Sequence, residues 1–262
     1  MSPKNFWKKY QFAVSQTRLF KAGMAEVSIR HIRNGWLIRN HSAAAMSDEL
    51  MVTDTGDFVD DSEVLHLYTG NSDELAVVPA LPDKAVVFRN TKKLKVSPGA
   101  SSELYFRIPL SIQFYSQEVK DENLLFEIPL KRLSDTWFGE IDNGEPAYSI
   151  GNNFDEDLGA VEPAVWEALC SVEIKNNTFG VLDLQRLILR VEDFGLFLVK
   201  GRLLTSHVSI EFKGQEQAGS VNLSIRSEIH GEKPQQVAKP RSAESKNLLR
   251  RSFFFIKNMY QN

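Results

Sequence analysis

The side chains with the means to bind or react in this sequence fall into a few sets: two acidic clusters, the histidines, a lone cysteine and an aromatic–acidic turn. The stretch "DTGDFVDDSE" gathers Asp54, Asp57, Asp60, Asp61 and Glu63, and "GNNFDEDLG" adds Asp155, Glu156 and Asp157. Carboxylates chelate calcium when alternate positions supply ligands around a fixed glycine, and neither stretch has that spacing. Both read as solvated acidic loops, with a calcium-binding β module as a third reading of the whole chain. His31, His41, His66, His207 and His230 show no H-E-x-x-H or related metal-ligand spacing, so no metal site is assigned. His207 alternates with Thr205, Ser209 and Glu211, which places it on a polar sheet face; surface histidine is the expectation. A Ser–His–Asp triad assembles across a fold and leaves no local trace. A G-x-S-x-G elbow, a P-loop and a G-x-G-x-x-G run would leave one, and none is present. The residues lean away from an enzyme and imply no cofactor.

The aromatic–acidic turn is the more informative set. Trp137, Phe138 and Tyr148 flank Asn143-Gly144 among Glu140, Asp142 and Glu145. Rings beside acids bind sugars or cationic partners, and they also anchor hairpins to a core. Trp137, Phe138, Glu140, Asp142 and Tyr148 are therefore the candidate ligand-binding set. The rival reading is a hydrolase or sugar-active enzyme using carboxylates of the block from Leu133 to Ile174. It requires two of them to converge in a cleft, one with a pKa raised by burial.

These residues need a scaffold, and the pattern from 104 to 130 says which kind. Leu104, Phe106, Ile108, Leu110, Ile112 and Phe114 are apolar at every second position, and Leu124, Phe126, Ile128 and Leu130 repeat the pattern. A period of two is a strand with one face on a core. A hairpin about Val119 sets Ile112 against Phe126, Phe114 against Leu124 and Pro109 against Pro129, apolar meeting apolar throughout. Proline lacks the N–H a ladder needs, so both strands should be edges or should bend from one sheet into another, as at a sandwich corner.

The rest reads as more strand. A helix is expected from Phe6, Trp7, Tyr10 and Val14, and hairpins about Asn34-Gly35 and Asn143-Gly144. Residues 42–63 read as a polar loop, "LAVVPALPDKAVVFRN" as strand, linker and strand, and "EPAVWEALC" as a helical turn. "GVLDLQRLILRVE" is a bulged strand or a short helix. A last hairpin joins Leu204, Val208, Ile210 and Phe212 to Val221, Leu223 and Ile225. The expected fold is mainly β: an antiparallel β-sandwich, or two small ones fused near 80–84, over residues 1–230. Residues 231–242 read as linker. In "ESKNLLRRSFFFIKNMY", Leu249, Phe253, Ile256 and Tyr260 form one stripe beside Arg250, Arg251 and Lys257, an amphipathic basic helix. Arg250, Arg251, Phe253, Ile256 and Tyr260 are candidate contacts to a protein partner, a second copy or a membrane surface.

Charge is segregated. Met1 to Ala45 holds eight Lys/Arg and one acid; Arg39 to Lys84 holds ten Asp/Glu with no Lys or Arg between those two residues. Such blocks pair within a fold, and no basic block is dense enough to argue for nucleic acid. Cys170 is the only cysteine, and the basic N-terminus lacks an apolar signal region, so a reducing, cytoplasmic setting is expected. No apolar run is long enough to span a bilayer.

From "LKVSPG" through "FRIPLSIQFY" and "FEIPLKRLSDTWFGEIDNGEPAYSI" the chain resembles an uncharacterised prokaryotic family of unknown function. That family is seen alone or joined to small-conductance mechanosensitive channel domains. The likeness centres on Thr136-Trp137-Phe138-Gly139 and on Gly144 to Tyr148. It implies an accessory or sensing role near a membrane protein and transfers no site residue. The reading that follows is a non-enzymatic module binding a ligand or partner.

Overall fold

Leu104, Phe106, Ile108, Leu110, Ile112 and Phe114 all face inward at 3% exposure or less, so one alternating segment lines the core along its length. The computed structural model describes residues 1–139, 141–142, 144–151, 154–213, 220–224 and 234–241. A short helix, α1 (Pro3–Phe6), precedes β1 (Lys9–Gln11), β2 (Thr17–Ile32), β3 (Gly35–Thr55), β4 (Leu65–Tyr68) and β5 (Glu74–Ala80). Next come β6 (Val86–Val96), β7 (Ser101–Pro109), β8 (Ser111–Ser116), β9 (Leu124–Pro129) and β10 (Ser134–Phe138). They are followed by β11 (Glu145–Gly151), β12 (Phe154–Asp155), β13 (Glu167–Asn176) and β14 (Leu182–Leu189). The described chain closes with β15 (Leu196–Val199), β16 (Arg202–Thr205), β17 (His207–Phe212), β18 (Ser220–Ser224) and β19 (Gln235–Ala238).

These strands make four sheets that pack in two pairs. The sheet β2-β3-β4 lies against β1-β5-β8-β9, with the Phe20 and Phe114 rings 5.3 Å apart edge to face. The sheet β10-β11-β6-β14 lies against an eight-stranded sheet carrying β7 and β13, with Phe88 and Phe106 at 4.2 Å. The chain is mainly β and largely antiparallel; β11–β6, β13–β16 and β13–β17 pair in parallel. Most of the buried apolar residues between Phe6 and Phe212 form one contiguous cluster.

Proline marks the crossing between the pairs. β7 ends at Pro109 in the eight-stranded sheet, and β8 begins at Ser111 in the other pair. Between them Leu110 donates to the Trp166 carbonyl (3.0 Å) and accepts from Leu130 N–H (2.8 Å). Pro129 closes β9, which is a sheet edge. The chain thus bends between sheets at one proline and ends an edge strand at the other, where no ladder bond is missed. The prolines are not abreast, however. Pro129 faces Ser111 and Pro109 faces Glu167. Ile112 faces Ile128 and Phe114 faces Phe126, two residues from the expected register. A slip of two keeps every side chain on its face, so the apolar pattern alone does not separate the two registers.

Other expectations also change. The helix stops at Phe6, and Tyr10 lies in β1; Phe6, Trp7 and Tyr10 are buried while Val14 is exposed. Residues 42–55 continue β3 instead of looping, because β2 pairs with them as far as Thr17–Thr55. "EPAVWEALC" leads into β13, and β14 is a strand whose register shifts between Leu184 and Arg186. Arg33 and Asn34 form the first hairpin turn, since Ile32 already pairs with Gly35. The hairpin of β10 and β11 forms, yet Phe138 pairs with Glu145, so its loop is longer than the tight turn expected at Asn143-Gly144. β17 pairs with β18 as expected, Ile210 against Val221. The 231–242 stretch, expected as linker, contains β19 on β15, and Arg241 beyond it is fixed to the body. The amphipathic segment 244–260 lies outside the described residues.

Candidate functional site

The β10–β11 hairpin distributes the aromatic set over two faces of its sheet. Residues opposite each other across an antiparallel pair share a face and neighbours alternate. Trp137 opposes Pro146 and Asp135 opposes Tyr148, so Trp137, Asp135 and Tyr148 point one way. Phe138 points the other way, with Thr136 and Ala147. Glu140 lies outside the described residues, and Asp142 is exposed. Trp137 and Tyr148 are therefore diagonal neighbours on one face, while Phe138 serves the opposite one.

Tyr148 and Asp135 belong to a small polar network. The Tyr148 hydroxyl donates to Asp83 Oδ1 at 2.9 Å, Lys84 lies 4.8 Å above its ring, and Lys84 meets Asp135 Oδ1 at 3.0 Å. Burial, and then the hydrogen bond to Asp83, push the Tyr148 phenol above its ordinary pKa. Contact with Asp135 raises Lys84 likewise. Trp137 itself stays 46% exposed, and Ile141 in the loop is 92% exposed.

Phe138 explains how this exposed edge is held. It is buried in a separate small core with Ala85, Val87, Ala147 and Ile188. Phe138 belongs to one outer strand of the sheet and Ile188 to the other, with β11 and β6 between them. The sheet must curl to bring them together. Arg186 of β14 closes the curl: its Nη2 donates to the Trp137 carbonyl at 3.2 Å, and its guanidinium lies 5.2 Å from the Phe138 ring. Arg190 on the same face pairs with Glu145 of β11. An edge strand would otherwise present open carbonyls, and this one has an arginine cap.

Sequence reasoning missed these arginines. Arg186, Ile188 and Arg190 alternate outward from the main core, but that parity appears only once the segment is known to be strand. Arg89 of β6 is the residue directly opposite Arg186. Burial, and after it the Arg89 charge, lower the Arg186 pKa. Its Nε is buried without a hydrogen-bond partner.

The remaining candidates are engaged with the fold. Asp61 and Glu63 pair with Arg39 and Asp54 with Arg18, so these members of the first acidic cluster answer the basic N-terminal block, while Asp60 meets His66. Asp157 accepts from Gly159 N–H, and Asp155 lies 3.9 Å from Arg107. No group of three or more metal-ligating side chains occurs among the described residues. Two histidines are not on the surface. His207 is 4% exposed and shares a hydrogen bond with Ser171 Oγ at 2.8 Å, and His31 is buried against Trp36. Thr205 beside His207 is buried too, while Ser209 and Glu211 farther along the polar face stay partly exposed. Among the carboxyls, Glu192, outside the acidic block, is pushed up to about 7 by burial, with Asp193 adding to the effect. Cys170 is buried, and burial raises its thiol to about 12.

No helix among the described residues is long and apolar enough to cross a membrane. The chain matches no curated protein and no solved structure. A family model does match, over residues 6–257 and so through both pairs of sheets, and the chain belongs to that family, described as a protein of unknown function, DUF432.

Proposed function

We propose that this protein is a non-enzymatic binding module whose recognition edge is the β10–β11 hairpin around Trp137. One observation carries the reading: Trp137 is 46% exposed on a mounting tied down on both sides of its backbone. Its own carbonyl is held by Arg186, and the next residue, Phe138, is locked in a buried cluster. A large ring ordered before binding costs little entropy to use, which is why tryptophan is enriched among interface residues that dominate affinity. Ile141 extends the apolar edge, and Asp142 supplies an acid beside it. A cytoplasmic setting and an accessory role beside a membrane channel belong to the same proposal. So does a contact through Arg250, Arg251, Phe253, Ile256 and Tyr260.

Trp137→Ala tests the reading. In a pull-down the variant should lose any protein that the wild-type chain recovers, while its melting temperature stays within about 2 °C, since an exposed side chain carries little stability. Unchanged recovery of the same partner would count against it.

A further inference from the structure

We propose that Arg89 and Arg186, on the curled face of the β10-β11-β6-β14 sheet, form an anion site that takes a phosphate-type oxyanion. The two residues are partners across β6 and β14, so their side chains leave the sheet on the same face. Like charges directly opposite each other destabilise a sheet. Arg18, Arg39, Arg107, Arg190 and Arg241 each meet a carboxylate, and Arg30, Arg33, Arg132 and Arg202 have none among the described residues but are not set opposite a second arginine across a ladder. Arg89 and Arg186 meet none among the described residues.

Arg186 bears the cost of burial, since Arg89 is exposed to water. Part of its guanidinium is withdrawn from water, one N–H is spent on the Trp137 carbonyl, and Nε is buried without a partner. A desolvated cation facing a second cation is stable only if something else repays it. Capping β10 accounts for Arg186 but gives no reason for Arg89 opposite. An anion between them accounts for both.

Charge and shape choose the class. Two guanidinium groups without a carboxylate match a phosphate, which carries about −1.5 to −2 charge at neutral pH and presents oxygens to both arginines at once. A carboxylate offers one charge and two oxygens. Val87 and Ile188, next along the same face, are buried, which lowers the local dielectric and strengthens the contact. The shared chemistry is a phosphate group, whether on a free solute or on a lipid headgroup.

The test is a thermal melt and a calorimetric titration of the full chain with inorganic phosphate, against chloride at equal ionic strength. Wild type should melt higher in phosphate and release or take up heat on titration. Arg89→Gln should lose affinity by about tenfold or more, yet melt no lower than wild type without phosphate, because it removes a repulsion. Arg186→Lys keeps the charge without the fork and should also bind more weakly. A melt indifferent to phosphate, or an Arg89→Gln variant with wild-type affinity, overturns the proposal. Flotation with phosphatidate and phosphatidylcholine vesicles separates the sources. Phosphatidate-specific flotation lost in Arg89→Gln assigns a headgroup; heat with free phosphate and no flotation assigns a solute. Trp137→Ala leaves both arginines in place, so failure here and failure at the hairpin edge are separate results.

Discussion

Glu192 shows how a single side chain sets a property of the whole fold. It sits in the turn between β14 and β15, with one carboxylate oxygen buried and unpartnered. Burial lifts its pKa from the ordinary 4.5 to about 7. An acid raised in the folded state holds a proton that the unfolded chain has already released. Its contribution is therefore intact below about pH 4.5 and is lost as pH climbs through 4.5 to 7. Glu192→Gln removes that dependence. Between pH 5 and pH 8, wild type should lose on the order of 1–3 kcal/mol more unfolding free energy than the variant, read from urea titrations at the two pH values. Equal losses would show that the carboxyl is not desolvated. None of this is legible in the sequence, where Arg190-Val191-Glu192-Asp193 is one more charged stretch. The buried histidines failed for the same reason: alternation told which face His207 occupies, not what covers that face.

At the scale of the element, alternation was read correctly and register was not. The period of two in 104–114 and 124–130 named the strands and their inward faces, but it is unchanged by a slip of two residues. The closing loop could not settle the slip either, because its end, Asp121–Asn123, coils into a short 3-10 turn. Bulges were hidden too. In β2 the pairing with β3 shifts on both sides of Gly23, whose φ is +54°. There the strand presses on the β9 end, with Met24 N–H donating to the Leu130 carbonyl at 2.7 Å. The bend returns β2 on itself, so Ser15 and Gln16 bond the backbone of His31. A Cβ on Gly23 would stand 2.2 Å from the Leu130 oxygen. Gly23→Ala should cost at least about 2 kcal/mol, combining that clash with an unfavourable left-handed backbone. A melt within 1 °C of wild type, on the order expected for a neutral surface change, would show the approach is not tight.

For the molecule as a whole, composition and strand pattern were enough to give a mainly β chain with its core spread along the sequence. They did not show that the C-terminal portion of the described chain straps the two pairs together. Arg241 makes a two-pronged ion pair with Glu127 of β9, donates to the Leu81 carbonyl at 2.7 Å, and bonds through its backbone to the Glu192 carbonyl. Gln113 also donates to Glu127 at 2.7 Å. Polar, proline-containing text looks like linker unless one knows that a half-buried carboxylate awaits its arginine. Arg241→Ala leaves Glu127 uncompensated and should cost on the order of 1–3 kcal/mol, discounted for its partial exposure. A chain ended after Arg241 should melt higher than one ended before Gln235; equal melts for the two truncations would refute the strap. The candidate site was half legible: Trp137 and Tyr148 stand out by type, while the arginines behind them required the curl of the sheet. The central claim is that the Trp137 edge is where this molecule meets its partner, and a photo-reactive phenylalanine analogue at position 137, irradiated in living cells, tests it most directly. One discrete adduct from position 137, absent when the same group replaces Tyr68, which is more exposed at 76%, is the expected result. No adduct at 137, or the same adducts from both positions, would contradict it.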